Sequence, residues 1–314
     1  MSLPAPIAEF RVEDYVIGRM LGRGGMGTVF EGVHARIGRR AAIKLLDPEA
    51  SQDERTVARF LNEARAASKI DHPSIVQIYQ FGQIPGGPAN IIMEYLEGEL
   101  LSARIRRCGA LGPAALPLAR QIAAALSAAH RSRVVHRDLK PNNIMLVPDP
   151  ESRTGERVKV LDFGVAKLDA LSVQERMLRT QTGALMGTPA YMSPEQCRSA
   201  TATTDKSDVY SLGIIAYEMF SGSPPFQAVG LGDLLALHLY TRPPPLKDRA
   251  PWVPQDIADL VHAMLAKKPT ERPSMAEVAE LLGARPATMP APPPMGAEGA
   301  ASPALTPSVQ KTQV

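Results

Sequence analysis

Residues 136 to 143 read His136-Arg137-Asp138-Leu139-Lys140-Pro141-Asn142-Asn143, and Asp162-Phe163-Gly164 follows them after an apolar run. Asp138 can accept a proton from a hydroxyl group, and Lys140 can neutralise a phosphoryl group in transfer. Asn143 and Asp162 offer the hard oxygen ligands that Mg²⁺ prefers. Surface turns contain the same residue types, so a lone His-Arg-Asp would indicate only a charged loop. The full string, with Asp-Phe-Gly at this distance, predicts a site that moves phosphate.

A glycine-rich segment near the amino terminus points to the same chemistry. It reads Gly22-Arg23-Gly24-Gly25-Met26-Gly27-Thr28-Val29 and follows the pattern G-x-G-x-x-G-x-V. Because glycine has no Cβ, backbone N–H groups can come close to phosphate oxygens. A dinucleotide-binding fold has a similar pattern, but there the glycines open a helix, whereas residues 28–33 look like a returning strand. We therefore predict a β-hairpin lid over the phosphates, with Leu21 and Val29 against an adenine ring.

Lys44 lies in an apolar segment, residues 40–46, that has the pattern of a strand. Lysine is seldom buried without a partner, so Lys44 requires a counter-charge. The next element, from about residue 53 to 69, has apolar residues at helical spacing and presents Glu63 toward the same side. Glu63 could be an ordinary exposed carboxylate, but with the glycine-rich segment in place we predict a Lys44–Glu63 ion pair that holds the lysine against phosphates.

Two further strands, residues 75–79 and 89–95, are predicted on either side of a Pro/Gly turn. The segment from Tyr95 to Gly98 is then a hinge. There the main-chain groups of Glu94 and Leu96 can hydrogen-bond adenine, and Met93 lines the pocket behind it. The side chain of Met93 is equally consistent with a place in the core.

Beyond the hinge the pattern is mainly helical. Residues 144–147 and 158–161 predict a short hairpin, and residues 208–220 are apolar nearly all round, as in a central buried helix. The other predicted helices are 100–107, 113–133, 231–240, 254–265 and 274–282.

A segment without clear periodicity, residues 162–195, lies between these elements. A loop of this length in a compact domain is normally functional or mobile. Phosphate added at Thr180 or Thr182 could meet Arg137 and order the loop, although unmodified exposed threonines are the alternative. We also predict that Arg272 pairs with Glu195 as a buried ion pair, the alternative being a surface arginine.

Composition excludes several classes of protein. The chain has 314 residues, 45% of them hydrophobic, and a formal net charge of +3, without a Lys/Arg block of the kind that binds nucleic acid. Its densest basic cluster, Arg104, Arg106 and Arg107, is interpreted as a solvated helix face. Cys108 and Cys197 lack the spacing of a zinc or disulfide scaffold, which suggests a reducing interior. With no signal peptide and no apolar run long enough to span a bilayer, we expect a soluble, cytoplasmic protein without a membrane segment.

The motifs arrive in the order of a known family. From about residue 15 to 283 the chain resembles a eukaryotic-type (Hanks-type) protein Ser/Thr kinase of the bacterial branch. The resemblance implies an α+β bilobal kinase-like fold, with a small antiparallel N-lobe (about 15–95) that has one regulatory helix and a larger, mainly helical C-lobe (about 99–283). Residues 1–14 are then a lead, and residues 284–314 a Pro/Ala-rich tail that cannot order itself. Ser193 and Ala41 replace the usual Ala and Val, small changes that put no catalytic role in doubt.

The resemblance also implies roles for individual residues. Transfer of the ATP γ-phosphoryl to Ser or Thr of protein substrates would use Asp138, Lys140, Lys44 and Glu63 as catalytic residues and Asn143 and Asp162 as ligands of Mg²⁺, with Mn²⁺ as an alternative. Arg137, Thr188, Glu195, Asp208 and Arg272 would be structural or regulatory, and Thr180 and Thr182 regulatory phosphorylation sites. The nucleotide-binding residues would be Leu21, Gly22, Arg23, Gly24, Gly25, Met26, Gly27, Thr28, Val29, Ala42, Lys44, Met93, Glu94, Leu96 and Met145.

Three rival functions differ in what they require. A pseudokinase, which signals by binding alone, would lack at least one of Lys44, Asp138 and Asp162, and all three are present. A small-molecule phosphotransferase would lack the Gly-Thr-Pro to Ser-Pro-Glu segment. A nucleotide-binding dehydrogenase is disfavoured by every motif that follows the glycine-rich segment. A transient homodimer for phosphorylation in trans is a further hypothesis, motivated by Thr180 and Thr182 beside Arg137.

Overall fold

The computed structural model describes residues 10–24, 27–152, 154–163 and 189–284. In these ranges two antiparallel sheets are present. The strands are β1 Arg11–Val12, β2 Tyr15–Arg23, β3 Gly27–His34, β4 Arg40–Leu46, β5 Ile78–Gln83, β6 Ala89–Glu94, β7 Glu99–Leu100, β8 Ile144–Pro148 and β9 Glu156–Val160.

The larger sheet forms the N-lobe, in the order β1-β2-β3-β4-β6-β5. Strands β2 and β3 pair antiparallel up to Arg23 opposite Thr28, so the glycine-rich segment joins two strands and opens no helix. One face buries a cluster that includes Ile43 and Ile92. The other packs on Phe60 of the helix Glu54–Ala67, the single α-helix among the described residues of this lobe. This arrangement confirms the predicted antiparallel N-lobe with one helix.

Helices dominate the C-lobe. Short 3-10 turns occur at 50–52, 112–114, 141–143, 189–191, 200–202 and 269–271. The helices of the described chain are α1 Glu54–Ala67 in the N-lobe and then α2 Leu101–Cys108, α3 Ala115–Arg131, α4 Pro194–Arg198, α5 Asp205–Ser221, α6 Leu231–Tyr240, α7 Leu246–Arg249, α8 Gln255–Met264 and α9 Met275–Gly283.

Helix α5 is the central element of the C-lobe core, as its sequence predicts. It begins at a capping box formed by Thr204 and Ser207, and it ends at Gly222, whose φ of 82° is readily adopted only by glycine. Between these caps nearly every side chain is buried, including Tyr210, Tyr217 and Phe220. An all-round apolar helix can only satisfy its surface in the middle of a lobe.

The structure departs from the sequence prediction at several boundaries. Strand β5 begins at Ile78 and not at residue 75, because the preceding residues bond to the other lobe: the N–H of Val76 donates to the carbonyl of Val160, and Val160 N–H donates to the carbonyl of Ser74. Strands β1 and β7 and helices α4 and α7 escape prediction because they have two to five residues. A period cannot be detected in so few positions.

The interpretation of the arginine cluster as a solvated helix face is wrong for Arg104. Its guanidinium donates to Glu99 and to both carboxylate oxygens of Glu156, at 2.6 and 3.2 Å, and its side chain is 19% exposed. These bonds join α2 to β7 and β9. Charged residues at helical spacing indicate an exposed face only if no acidic strand residue lies opposite, which sequence does not disclose.

Within the described residues, no helix is both long and apolar enough to cross a membrane. The same part of the chain has no cluster of three or more His, Cys, Asp or Glu side chains that could hold a metal ion. The boundaries at residues 14 and 284 remain predictions.

Candidate active site

The loop between α3 and β8 holds three of the predicted site residues together. The Nζ atom of Lys140 lies 3.0 Å from Oδ2 of Asp138. The side-chain amide of Asn143 donates to the Asp138 carbonyl at 2.9 Å and lies 3.5 Å from Oδ2. Asp138 is therefore fixed by two neighbours of the same loop, and its carboxylate lies beside a positive charge.

Asp208 of helix α5 fixes the backbone of this loop by hydrogen bonds. It is 1% exposed and accepts from the backbone N–H of His136 at 2.8 Å and of Arg137 at 2.9 Å, while His130 Nε2 lies 2.8 Å away. Arg137 has a φ of 67°, a strained conformation for a residue with a side chain. The carboxylate offsets that strain by satisfying two consecutive N–H groups.

His136 links the loop to the segment that contains Asp162. Its side chain is fully buried, its Nδ1 accepts from Asp138 N–H at 3.3 Å, and its Nε2 donates to the Leu161 carbonyl at 2.9 Å. Burial lowers the pKa of the imidazole, although Asp208 and Asp138 act in the opposite direction. A neutral imidazole with these two bonds positions Asp138 relative to Asp162. The sequence alone predicts no role for His136, because both of its hydrogen-bond partners are backbone groups.

Lys44 joins the N-lobe to the C-lobe. Its Nζ lies 2.9 Å from Oδ1 of Asp162 and 3.7 Å from Oε1 of Glu63, and the side chains of Lys44 and Glu63 are 12% and 10% exposed. Burial alone would lower the pKa of Lys44, but Asp162 and Glu63 outweigh it, and the net effect is a raised pKa. The lysine is therefore a permanent cation with carboxylates from both lobes.

Several predicted nucleotide-binding residues share one face of the N-lobe sheet. Val29 pairs with Lys44, and Ala42 pairs with Met93. The side chains of Val29, Ala42 and Met93 therefore lie on the same face of the sheet as that of Lys44. On the other side of the cleft Met145 pairs with Leu100 in the small sheet. The remaining described members of the set lie on β2, on β3 or between them: Leu21, Gly22, Arg23, Gly24, Gly27 and Thr28.

Gly27 is required for a reason that sequence reasoning missed. A Cβ at this position would lie 2.1 Å from the carbonyl oxygen of Leu45 on strand β4. By contrast, an added Cβ at Gly22 would meet nothing within 4 Å. Close strand packing therefore explains Gly27, while access to phosphate at Gly22 stays a prediction. Gly25 and Met26 lie outside the described residues.

Glu94 is the last residue of strand β6, directly before the hinge. Its side chain points away from that of Met93, because neighbouring side chains of a strand point to opposite faces. Oε1 of Glu94 accepts from Gln77 N–H at 2.7 Å and from Lys159 Nζ at 2.6 Å. Lys159 belongs to strand β9 of the C-lobe. It thus holds the hinge from behind, a role for which the sequence offers no signal. Leu96 follows within the hinge and is partly buried.

Asn143 and Asp162 are suited to hold a divalent metal ion. They flank the β8–β9 hairpin, where the N–H of Leu161 donates to the Asn143 carbonyl at 2.8 Å. The Asn143 amide nitrogen is committed to Asp138, which leaves its side-chain oxygen as the group available for a metal. Asp162 is 47% exposed despite its contact with Lys44. The donors are the hard oxygens that Mg²⁺ requires.

Comparison with known proteins agrees with this geometry. The family model described as "Protein kinase domain" matches residues 15–281. The chain is a member of the protein kinase family.

The kinase is similar to bacterial Ser/Thr kinases. It is 38% identical to Serine/threonine-protein kinase PknA of Mycobacterium tuberculosis over 307 residues, which cover 94% of this chain and 67% of PknA. It is 37% identical to PrkC of Bacillus subtilis over 265 residues, 84% of this chain and 39% of PrkC. The crystal structure of the M. tuberculosis PknI kinase domain matches with a TM-score of 0.64 at 25% identity, covering 89% of this chain and 99% of that one. ATP-dependent phosphorylation of protein Ser/Thr residues, and use of a divalent metal, follow from this membership.

Outside the loop between α3 and β8, Glu195 and Arg272 form a second contact between predicted residues. Both guanidinium Nη atoms donate to the Glu195 carboxylate, at 2.7 and 2.9 Å, and Ser207 donates to the same carboxylate at 2.7 Å. Burial raises the pKa of Glu195, but the bonds from Arg272 outweigh it and lower the pKa overall. The pair ties α4 to the segment before α9. The predicted residues Gly164, Thr180, Thr182 and Thr188 lie outside the described part of the chain.

Proposed function

We propose that this kinase transfers the γ-phosphoryl group of Mg-ATP in line to a Ser or Thr hydroxyl, with Asp138 as the residue that orients the hydroxyl and accepts its proton. The observation that carries the proposal is the position of Asp138, which is held by Lys140, Asn143 and the His136 imidazole. Rigid positioning is the main source of catalysis when the transition state is loose, because such a transition state needs little covalent help.

Lys140 steadies the transferring group in this proposal. Its ammonium lies beside the Asp138 carboxylate, so it can contact a phosphoryl oxygen while the carboxylate contacts the hydroxyl. Positive charge at this point is most valuable when negative charge builds up on the equatorial oxygens.

Lys44, Glu63 and the glycine-rich hairpin bind the nucleotide. Glu63 orients Lys44 toward the α- and β-phosphates, and main-chain groups at Glu94 and Leu96 bind adenine between Ala42, Met93 and Met145. Asn143 and Asp162 hold Mg²⁺, with Mn²⁺ as a substitute. When bound, the metal neutralises phosphate charge.

A phosphotransfer assay tests this function against its rivals. Purified chain is incubated with radiolabelled ATP and a generic basic protein, with Mg²⁺, with Mn²⁺ or with chelator. We expect metal-dependent label on Ser and Thr of the acceptor. A pseudokinase would give no label under any condition, and a small-molecule phosphotransferase would consume ATP without labelling protein.

Regulation by phosphorylation is a second part of the proposal. The Nε and Nη1 atoms of Arg137 are buried and have no hydrogen-bond partner among the described residues. Buried polar atoms without a hydrogen bond are costly, so an anion that reaches these two atoms is bound favourably. We assign that anion to phosphate on Thr180 or Thr182, added in trans within a transient homodimer in the cytoplasm. Mass spectrometry after incubation with ATP tests it, and active enzyme with both threonines unmodified would contradict it.

A further inference from the structure

An open cavity of about 820 Å³ lies behind the hinge. Glu94 and Leu96 line it, but the proposed chemistry uses only the main-chain groups of these two residues. It lies on the side of β6 to which Glu94 points, and therefore opposite to Met93 and the cleft. Both lobes line it, with Tyr79 and Tyr95 from one side and Pro148 from the other. We call it the rear cavity.

The charges of the rear cavity are already balanced. Three basic side chains line it, and each has an acidic partner in the same wall: Lys159 with Glu94 at 2.6 Å, Arg157 with Asp149 at 2.6 Å, and Arg40 with Glu97. A phosphate or a nucleotide would have to displace these partners. An uncharged occupant fits the wall without breaking an ion pair.

Aromatic rings supply the apolar part of the wall. Tyr79 and Tyr95 each have one ring face covered by an arginine, at 4.0 Å for Arg39 and 3.8 Å for Arg40. The arginines hold the rings in place, and Pro73 and Pro148 line the same space. Fixed aromatic rings separated by a groove are the surface to which proline-rich segments bind, since such segments are already extended and lose little entropy.

The chain itself contains such a segment. Residues 286–297 read Pro-Ala-Thr-Met-Pro-Ala-Pro-Pro-Pro-Met-Gly-Ala, with five prolines and no charged residue. Helix α9 ends just before it at Gly283, where an added Cβ would lie 4.0 Å from Cδ of Arg120 on α3. The next residue, Gln121, forms two hydrogen bonds with the backbone of β9: its Nε2 donates to the Glu156 carbonyl, and its Oε1 accepts from Val158 N–H.

The segment therefore begins beside the part of α3 that contacts β9, the strand that carries two cavity residues, Arg157 and Lys159. Six residues of any polyproline II chain span about 19 Å. We propose that residues 286–295 of this chain bind the rear cavity of the same molecule, with the prolines against Tyr79 and Tyr95. A segment that cannot form a core of its own gains order in this way by using a surface of the domain.

Photo-crosslinking in the full chain tests the proposal. Tyr79 is replaced by p-benzoylphenylalanine, which keeps an aromatic ring, and Tyr240, an exposed tyrosine on α6, is replaced in a matched control. We expect the probe at position 79, and not the probe at 240, to link to residues 286–295 in a product of monomer mass. Links found only in a product of dimer mass, or no more link than with the control, would overturn the proposal.

Hydrogen exchange provides a readout that leaves the domain unaltered. Pro290, Pro292, Pro293 and Pro294 are changed together to Ser, and Pro303 and Pro307 are changed to Ser in the control. We expect amides of residues 72–79 and 147–159 to exchange faster by about threefold or more in the first variant only. Equal exchange in wild type and the first variant would contradict binding in the rear cavity.

Discussion

Lys159 holds the carboxylate of Glu94 from behind, and this contact makes the hinge sensitive to a residue of the other lobe. Lys159 and Glu94 are 13% and 17% exposed in their side chains, so the bond is largely screened from water. Charge-assisted bonds in such places contribute about 1.5–3 kcal/mol. Because Oε1 of Glu94 also accepts from Gln77 N–H, the carboxylate is fixed from two directions.

We expect Lys159→Met to raise the KM for ATP about tenfold, the equivalent of about 1.4 kcal/mol, with kcat within about twofold of wild type. The hinge would lose its position before the nucleotide binds, whereas the catalytic loop would be unaffected. Steady-state kinetics with varied ATP measure this. Lys159→Arg should restore most of the affinity, and Arg157→Met, which removes the neighbouring pair with Asp149, is the matched control. An unchanged KM in Lys159→Met would refute a positioning role.

The sequence predicts which residues form the site, but it does not predict which further residues each of them contacts. The Lys44–Glu63 contact is expected from the burial of a lysine, yet the contact of Lys44 with Asp162, 118 positions away, depends on how the lobes close. Asp208 is placed by its motif, but its three contacts with His130, His136 and Arg137 appear only in three dimensions. A motif specifies which groups are present, and tertiary packing specifies what they touch.

At the scale of elements, the hinge meets the C-lobe where β7 pairs with β8. An added Cβ at Gly98 would lie 2.0 Å from the carbonyl oxygen of Leu146, a backbone atom that cannot rotate away. Strand pairing at this point therefore depends on a missing side chain. Gly98 lies directly before β7, so the same contact sets the exit of the chain from the hinge.

Gly98→Ala should destabilise the fold by about 2 kcal/mol or more, because the added methyl must push two backbones apart. Urea unfolding followed by circular dichroism measures the change in midpoint. Gly232→Ala is the control, since an added Cβ there meets nothing within 4 Å and lies in helix α6, where alanine is favoured by up to about 1 kcal/mol. Equal stability of the two variants would show that the β7–β8 contact relaxes freely.

Long elements with a clear period could be predicted, whereas the short elements β1, β7, α4 and α7 could not. The boundaries predicted for residues 231–240 coincide with α6, and those of α5, α8 and α9 shift by a few residues at most. Strand β5 shifts by three residues because Ile75 forms a bridge to Val160 of the other lobe. That contact overrides local propensity, which is all that a sequence pattern reports.

At the scale of the whole molecule, buried histidines make stability depend on pH. His238 of α6 is fully buried between α5 and α6, where its Nδ1 lies 3.0 Å from the hydroxyl of Tyr210 and its ring contacts Phe226. Burial, together with the nearby Lys267, lowers its pKa to about 4. The folded protein thus resists protonation at a pH where the unfolded chain accepts it.

The free energy of unfolding should be unaffected by His238 above about pH 6.5. As the pH falls toward 4, the unfolded chain binds a proton at His238 and the folded protein does not, so the free energy of unfolding should decrease by about 3 kcal/mol in all. Between pH 7 and 5 this amounts to about 2 kcal/mol. Urea unfolding of wild type and His238→Gln at both pH values isolates this contribution from the other histidines. The variant should lose less stability on acidification, and an identical loss in both proteins would contradict the assignment.

The two lobes meet through Lys44 and Asp162 in front and through Glu94 and Lys159 behind. The bilobal fold follows from the order of the motifs, but these four residues come from separate parts of the chain. Their pairing gives the catalytic loop its position relative to the nucleotide lobe, and Asp138 stands at the point where the two halves of the site converge.

Single-turnover phosphotransfer by Asp138→Asn, with ATP affinity measured on the same protein, tests the central claim most directly. The change is nearly isosteric, and it removes the proton acceptor together with the negative charge beside Lys140. ATP affinity and the unfolding midpoint should stay close to wild type. The rate of transfer should fall by about 10²–10⁴-fold, the usual contribution of a general base. Transfer at the wild-type rate would contradict the role of Asp138 and with it the proposed site.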